Sequence, residues 1–307
     1  MRSMLDRLDA PGVPTPGSRY AADILADYYE LSKPRIITLL LITTVAAMVM
    51  AQRGLPAPAL LLWTLLGGAL TAASGGALNC VYDADIDAIM RRTQLRPIPQ
   101  GRISIRAATI YAVVIGTLGF AIFYTLVNPP AAWLSLAGNV YYVAIYTMWL
   151  KRLTPLNIVI GGAAGAVPPL VGWAAVTHTI GAPALALFAL IFLWTPPHFW
   201  SLALVAETDY DKANIPMLPN VSGEARTRRE ILSYSVVLVA ASLALYPLHV
   251  MGALYFAAAA VLGGIFLFDA LRTLRDTGNA WARKLFTFSL AYLALMCLAM
   301  VVDRIVA

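Results

Sequence analysis

Charged residues are scarce in this sequence. Asp, Glu, Lys and Arg make up 12% of the 307 residues, whereas 60% are hydrophobic. Soluble globular domains carry about 25% charged residues, and a chain with so few charges cannot cover its own surface in water. Cysteine is nearly absent as well. Cys80 and Cys297 lie in or beside apolar segments without a CxxC pairing, so we predict two buried small hydrophobic side chains rather than a disulfide or a metal site.

Long apolar runs fill most of the chain. A helix needs about 20 mainly apolar residues to span the bilayer core, and several stretches qualify or nearly do. They are 36–51, 59–81, 107–126, 131–150, 156–176, 184–205, 231–248, 252–268 and 285–302. The runs are too long for membrane strands and do not alternate apolar with polar residues. The sequence therefore predicts an all-α membrane protein with nine transmembrane helices.

Lysine and arginine are distributed unevenly between the loops. With nine spans, 20 of the 22 Lys and Arg residues fall on one side of the membrane, and only Arg53 and Arg304 fall on the other. Because cytoplasmic loops carry the excess of these residues, we predict a cytoplasmic N-terminus. Residues 1–26 lack the apolar stretch of a signal peptide and are predicted to be a flexible cytosolic tail; 27–307 are predicted to form a single transmembrane domain. The net charge of +6 then follows from topology and does not indicate binding to nucleic acid.

The second predicted span ends in a cluster of acids. Asn79, Asp83 and Asp87 are spaced by four residues, so in a helix they share one face, which Arg91 continues, while Asp85 points elsewhere. Mg²⁺ prefers oxygen ligands of this kind together with substrate phosphates. The alternative is a helix end that enters solvent, with its acids balanced by arginines. Because ionisable groups at membrane depth are costly and usually functional, the pattern favours a magnesium site.

A second acidic cluster, 207–212, follows the sixth predicted span on the same side of the membrane and contains Asp209 and Lys212. Upstream, the double proline at 196–197 is expected to kink or break the helix. His198 precedes Asp209 by eleven residues, so an unbroken helix would place both side chains on one face. A lone helical histidine is more often structural than catalytic, and both readings stay open here.

The fourth predicted span ends with Tyr146 and Lys151. An aromatic belt with positively charged anchors explains most such patches; the alternative is that both side chains hold diphosphate oxygens. In the next span, Gly161 and Gly165 form a small-xxx-small pair, which indicates close helix packing. Together with the acidic clusters, these residues suit one task. Mg²⁺ and basic side chains would hold a diphosphate and stabilise its charge as an allylic carbon–oxygen bond breaks, while the isoprenoid tail lies among the helices.

Several of these segments resemble a known family. Asn79, Asp83 and Asp87 resemble the first aspartate-rich motif of UbiA-type intramembrane prenyltransferases. A narrower resemblance, to the protoheme IX farnesyltransferase (heme O synthase) family of that superfamily, rests on the segments 27–35, 83–93, 96–99, 146–152, 196–200 and 215–219. It covers the chain from about Asp27 to Pro219, and the last three predicted helices match only in hydropathy.

This resemblance implies a UbiA-type bundle with Mg²⁺ as cofactor and with farnesyl diphosphate and protoheme IX as substrates. The farnesyl group would be joined to a vinyl group of the heme, with addition of water and release of diphosphate. Asn79, Asp83 and Asp87 would hold Mg²⁺ with the diphosphate. The further diphosphate-binding side chains would be Arg91, Arg92, Tyr146, Lys151 and Lys212. Asp209 or His198 would orient the heme or accept the proton of the added water. The site would lie on the cytoplasmic side of the inner cell membrane, and the resemblance suggests heme A synthase or oxidase-assembly proteins as partners.

The second acidic cluster departs from the superfamily pattern of two aspartates spaced by three residues. Only Glu207 and Asp211 meet that spacing, whereas protoheme farnesyltransferases in general have a loosened second motif. The departure favours this branch over the one that acts on aromatic or quinone precursors, which is the alternative. A heme carrier without catalysis is another. A transporter is disfavoured, since its charges would lie at mid-membrane and these gather at one face.

Overall fold

The computed structural model describes residues 21–306, and in that range the chain forms helices and no β-strand. In chain order the helices are α1 (Ala21–Leu31), α2 (Pro34–Gln52), α3 (Pro58–Tyr82), α4 (Ala84–Ile89), α5 (Ile105–Ile122), α6 (Pro129–Val140), α7 (Asn157–Thr177), α8 (Ala182–Val205), α9 (Glu207–Lys212), α10 (Leu218–Ser222), α11 (Glu224–Ala244), α12 (Ala253–Arg275) and α13 (Ala280–Val306). The pitch changes after α5, which continues as the π-helix Phe123–Val127. It changes again after α6, which continues as the π-helix Tyr141–Trp149 and the 3₁₀ turn Leu150–Arg152. The predicted all-helical class is confirmed for the described residues.

Seven of the described helices are long and apolar enough to cross a membrane. They are α2, α3, α5 with its π-helical extension, α7, α8, α12 and α13. The other two predicted spans are also helical and coincide with α6 and its extension, and with α11, whose first two turns carry several charges. The membrane class predicted from the sequence therefore agrees with the structure, and seven spans meet the criteria of length and hydropathy.

The chain becomes helical earlier than the sequence suggested. α1 begins at Ala21, so residues 21–26, which the sequence analysis assigned to the N-terminal tail, are helical. Asp27 of the same helix is buried and forms a long-range ion pair with Arg102. The rest of the predicted tail, residues 1–20, lies outside the described residues.

The double proline does not end α8. The helix runs unbroken from Ala182 to Val205 through Pro196 and Pro197. Membrane helices tolerate proline where neighbouring helices support them, and Trp194 Nε1 donates to Ser289 O of α13 at 2.8 Å. This contact holds the proline-containing turn against α13.

The main apolar core lies on one side of the bundle, where α8, α11, α12 and α13 meet. Its largest fully buried side chains are Trp200, Tyr255, Tyr292 and Phe266. A smaller cluster, the Phe123 cluster, joins that residue to α6 and α7 through Ala131, Ala132, Val171, Ala174 and Ala175. Between these cores the helices leave a large cavity, which contains most of the residues singled out from the sequence.

Candidate active site

A cavity of ≈ 560 Å³ extends between α2, α3, α6, α7, α8 and α13. Polar side chains line one end of it, which we call the charged end: Lys33, Arg35, Asn79, Asp87, Arg92, Arg96 and Lys151. The deeper part is lined by apolar and aromatic side chains and by glycines, among them Leu40, Gly68, Phe123, Trp194, Phe286 and Leu293. The cavity thus joins a charged end to an apolar interior, which is the form required by a ligand with an anionic head and an apolar tail.

Asn79, Asp83 and Asp87 keep one helical register although α3 ends at Tyr82. Asp83 N donates to Asn79 O at 2.9 Å, and Asp87 N donates to Asp83 O at 2.8 Å, across the junction of α3 and α4. All three side chains are buried. Asn79 Nδ2 donates to Asp83 Oδ2 at 2.8 Å. The spacing of four residues therefore produces the shared face that it predicted.

Each residue of this face is bound by its own cation. Lys33 Nζ donates to Asn79 Oδ1 at 2.5 Å, and Lys151 Nζ donates to Asp83 Oδ2. Arg96 Nη1 donates to Asp87 Oδ2 at 2.6 Å. Burial lowers the pKa of the Lys33 ammonium group. Three bases thus face two carboxylates and a neutral amide, and they are placed where an anionic ligand would meet them.

Arg91 does not continue the face. α4 ends at Ile89, and Met90 takes an extended conformation with φ −76° and ψ 126°. The turn is closed by Thr93 Oγ1, which donates to Asp87 O at 3.0 Å. Arg91 is therefore exposed and does not line the cavity. The predicted stripe is wrong at this residue, because a side-chain hydroxyl binds the helix carbonyl and the helix stops.

Tyr146 lines the cavity from the π-helix Tyr141–Trp149. Its ring stacks on Tyr142 with centroids 5.6 Å apart, and a Cβ atom on Gly161 would overlap it. The next residue, Thr147, accepts from Asn79 Nδ2 at 3.1 Å and donates to Tyr142 O at 2.9 Å. π-Helical turns occur often at functional sites, and this one connects the aromatic wall to the acidic face.

His198 lines the cavity from α8 and is buried between aromatic rings. Trp194 stacks on it at 4.3 Å between centroids, and Phe286 of α13 stacks on it at 4.7 Å. Its Nδ1 lies 2.6 Å from Ser289 Oγ. The hydrogen bond fixes the ring, so one edge of the imidazole is held by α13.

Asp209 lies apart from His198 on a different helix. α8 ends at Val205, and Ala206, with φ −109° and ψ 20°, separates it from α9. The unbroken helix that would have aligned the two residues does not exist. Asp209 Oδ2 instead accepts from Arg92 N at 3.3 Å, which connects the two acidic segments at the charged end. Lys212 is exposed and does not line the cavity.

The model for the UbiA prenyltransferase family matches residues 40–296 of this chain. The chain belongs to the UbiA prenyltransferase family. A protoheme IX farnesyltransferase from Synechocystis sp. is 54% identical over 284 residues, which are 92% of this chain and 90% of the relative. Among solved structures, one of digeranylgeranylglyceryl phosphate synthase superposes with a TM-score of 0.76 at 21% identity, covering 93% of this chain and 100% of that chain. A UbiA homolog from Archaeoglobus fulgidus bound to GPP and Mg²⁺ superposes with a TM-score of 0.64 at 17% identity, covering 90% of this chain and 99% of that chain.

The family predicted from the motifs is confirmed, and with it the UbiA fold and the class of enzyme, a transferase. The resemblance to protoheme IX farnesyltransferases, first seen in segments up to Pro219, extends over 92% of the chain.

The acidic face of this UbiA chain offers oxygen ligands that fit Mg²⁺. Asp83 Oδ1 is buried and accepts no hydrogen bond from the described residues, and it lies 3.9 Å from Arg152 Nη2. The Asp87 carboxylate lines the cavity. Between residues 21 and 306, no three His, Cys, Asp or Glu side chains group closely enough to form a metal site unaided. The donor set is thus two carboxylates and an amide, which leaves coordination positions for substrate oxygens.

Six of the ten predicted site residues line the cavity of this UbiA fold. They are Asn79, Asp87, Arg92, Tyr146, Lys151 and His198. Asp83 lies directly behind the wall, in contact with Lys151 and Asn79. Lys33 and Arg96 were not among the predicted residues, although both stand in the segments that carried the resemblance. Their partners lie 46 and 9 residues away along the chain. The contact of Lys33 with Asn79 in particular depends on tertiary packing and cannot be predicted from local sequence spacing.

Proposed function

We propose that this protein transfers the farnesyl group of farnesyl diphosphate to a vinyl group of protoheme IX, with addition of water, to give heme O and diphosphate. One observation carries the proposal. A single cavity joins the charged end, with Lys33, Arg96 and Lys151, to an interior walled by aromatic rings. The charged end suits a diphosphate, and the interior suits an isoprenoid chain beside a flat macrocycle. The names of relatives at about half identity over most of the chain support these substrates.

The diphosphate lies at the charged end. Lys33 and Lys151 hold its oxygens, Tyr146 donates its phenolic hydroxyl, and the Arg92 side chain approaches from the rim. Mg²⁺, held by Asn79, Asp83 and Asp87, supplies Lewis-acid stabilisation of the diphosphate charge when it is bound. Donors already in place stabilise developing charge without reorganisation, so the same cations that balance the acids favour departure of diphosphate.

The transfer forms one carbon–carbon bond and breaks one carbon–oxygen bond. As the bond between farnesyl C1 and the diphosphate oxygen breaks, its electron pair leaves with the diphosphate. The vinyl group of the heme supplies the pair that binds farnesyl C1. Water adds to the cation left beside the pyrrole ring and loses a proton, which gives the hydroxyethylfarnesyl group. The apolar walls exclude bulk water from the allylic cation until then.

His198 would act on the acceptor. It faces the cavity between Trp194 and Phe286, while Ser289 holds Nδ1. From there it orients the heme or accepts the proton of the added water. Asp209 acts indirectly by holding the backbone of Arg92 at the rim.

The membrane arrangement that fits this site has nine transmembrane helices with a cytoplasmic N-terminus. α6 with its π-helical extension and α11 would add to the seven spans that meet the length and hydropathy criteria. The charged end would face the cytoplasm at the inner cell membrane, where most Lys and Arg residues lie. One transmembrane domain, beginning at α1, would contain the whole site, and heme A synthase or an oxidase-assembly protein would receive the product.

The test is a product analysis. The detergent-purified protein is incubated with protoheme IX, farnesyl diphosphate and Mg²⁺, and the hemes are identified by mass spectrometry beside an Asp83→Ala sample. Hydroxyethylfarnesyl heme from the wild type alone supports both the reaction and the acidic face. Product from both proteins keeps the reaction but rejects the proposed metal ligands. Transfer to an aromatic acid and none to heme would replace the proposal by the quinone-precursor reading, and no transfer to any acceptor would leave a heme carrier.

A further inference from the structure

The apolar part of the cavity ends partway along the helices that line it. Counted inward from the charged end, the last lining residues are Thr44 on α2, Gly68 on α3, Ser135 on α6 and Val171 on α7. On α3, Gly68 lies 11 residues from Asn79, a rise of about 16 Å along the helix axis. The cavity therefore contains a groove of this length, which runs along α3 from the acidic face inward.

Phe123 closes the inner end of this groove. Its side chain lines the cavity but is 0% exposed to solvent. A Cβ atom on Gly67 would lie 3.0 Å from Phe123 Cδ2, and a Cβ atom on Gly68 would lie 3.9 Å from Phe123 Cζ. The glycine at position 67 is what allows the ring to lie so close to the backbone of α3. The ring thus packs against α3 at the inner end of the groove.

The turn after Phe123 holds the ring in place. Phe123 begins the π-helix Phe123–Val127, and the next residue, Asn128, is buried. Asn128 Nδ2 donates to Ala174 O at 2.9 Å and to Ala175 O at 3.0 Å, both on α7. Its Oδ1 accepts from Ala131 N at 2.9 Å. Because these bonds connect the junction of α5 and α6 to α7, the end of the groove is a fixed wall.

Two threonine hydroxyl groups near this wall point back into their own helices. Thr44 Oγ1 donates to Leu40 O at 2.9 Å, and Thr71 Oγ1 donates to Gly67 O at 2.9 Å. The threonine hydroxyls therefore donate to backbone carbonyls. The surface that remains in the groove consists mainly of methyl groups, glycine backbone and the Phe123 ring. A linear hydrocarbon is the ligand that such a groove accommodates best.

We propose that Phe123 sets the maximum length of the prenyl chain that this enzyme transfers. The inference rests on the proposed function, since it places the prenyl tail along α3. A fully extended chain advances about 3.3–3.6 Å per three backbone atoms, so the main chain of a farnesyl group spans about 14 Å by the same rule. That length fits the groove between Asn79 and Phe123. A chain with one more isoprene unit meets the fixed ring.

The test uses Phe123→Ala with Phe120→Ala as its matched control. Phe120 lies one helical turn earlier and packs partly buried against the Phe123 cluster, but it does not line the cavity. Each protein is given geranyl, farnesyl and geranylgeranyl diphosphate. Transfer to protoheme IX is measured as kcat/KM, and protection against thermal unfolding is measured without any acceptor.

Phe123→Ala is expected to raise the ratio of kcat/KM for geranylgeranyl over farnesyl diphosphate at least tenfold, since an apolar pocket discriminates one methylene by about 10–200-fold. Geranylgeranyl diphosphate should also begin to protect this variant. Phe120→Ala should keep the wild-type ratio. Ala72→Leu adds volume to the groove between Asn79 and Gly68, where Ala72 lines it nearer to Gly68, and should shift preference toward geranyl diphosphate.

Equal ratios in the two phenylalanine variants would overturn the proposal, as would a wild type that uses geranylgeranyl and farnesyl diphosphate equally well. If Phe123→Ala does not fold, Ala72→Leu decides: an unchanged preference for farnesyl rejects the groove. A wild type that is protected by farnesyl diphosphate but transfers nothing to protoheme IX would reject the proposed function alone, because thermal protection still reports the accepted chain length.

Discussion

Two aspartates in one short stretch provide a sharp test of the acidic face. Asp83 is fully buried and bound to Lys151 and Asn79. Asp85 has a side chain that is 61% exposed and pairs with Arg152 at 2.7 Å. Substitution of each by asparagine removes the same charge with almost no change in volume. The two variants therefore differ only in where the charge is lost.

The expected effects differ by orders of magnitude. Removal of one partner of a buried ion pair costs about 3–5 kcal/mol. The side chain of Lys151 retains 15% exposure, so we expect Asp83→Asn to fall near the lower limit, about 3 kcal/mol of unfolding free energy. Loss of a proposed metal ligand also weakens stabilisation of the diphosphate, a separate effect that is measured on the rate, where each tenfold loss corresponds to about 1.4 kcal/mol. We therefore expect kcat/KM to fall by at least about a hundredfold. Asp85→Asn removes an exposed pair, which contributes about 0–1 kcal/mol.

The assay is heme O formation with varied farnesyl diphosphate and Mg²⁺, combined with thermal unfolding of both variants in the same detergent. Activity is compared at a temperature well below the unfolding midpoint of Asp83→Asn, so that loss of fold does not imitate loss of catalysis. If Asp83→Asn retains activity within about tenfold of Asp85→Asn, or keeps the wild-type Mg²⁺ dependence, the acidic face has no catalytic role and the reasoning fails.

Three further outcomes follow from the contacts. Gly161→Ala should lower the activity, and it should lower the free energy of unfolding by about 1–3 kcal/mol, because its Cβ would overlap the Tyr146 ring. Gly165→Ala is the control: open space surrounds this glycine, so the variant should unfold at the wild-type temperature. His198→Phe should lower kcat at least tenfold with little change in KM for farnesyl diphosphate. Asp209→Asn should lower kcat less, since of these two residues only His198 lines the cavity. A larger loss of kcat in Asp209→Asn than in His198→Phe would reject the role of His198. Burial raises the pKa of the Glu207 carboxyl group, so the charged form destabilises the folded state at pH values above that pKa. Glu207→Gln should therefore raise the unfolding temperature at pH 8 but not at pH 4. An equal change of unfolding temperature at both pH values would exclude a charge effect.

The length of the apolar runs was sufficient to predict most of the long helices, and the helical repeat of 3.6 residues predicted the shared face of Asn79, Asp83 and Asp87. The same rule was wrong for Arg91. There the decisive interaction is the Thr93 hydroxyl on Asp87 O, a side-chain contact with the backbone that periodicity ignores. Arg96 takes the position next to Asp87 that Arg91 was expected to approach.

Contacts between distant parts of the chain could not be predicted from the sequence patterns. Ser289 holds His198 from 91 residues away, on a helix that was recognisable only by its hydropathy. Lys33 reaches Asn79 across 46 residues. Each of these pairs joins a polar atom to a charged or titratable partner inside an apolar bundle, where an unpaired group would be costly. A pattern can show that such a group needs a partner, but the partner is selected by the packing of the helices.

The break at Ala206 changes how the two acidic segments relate. With an unbroken helix, Asp209 would have faced the cavity with His198, and the second cluster would have belonged to the same wall as the histidine. The structure instead turns the chain at Ala206, so that Asp209 binds the backbone of Arg92, in the segment that follows the first cluster. The two acidic segments therefore meet at the charged end, where the proposed diphosphate would bind, while His198 lies beside the apolar interior. The arrangement suits the proposed reaction, because the leaving group is an anion and the attacking vinyl group is a substituent of a largely apolar macrocycle, and both must meet at farnesyl C1.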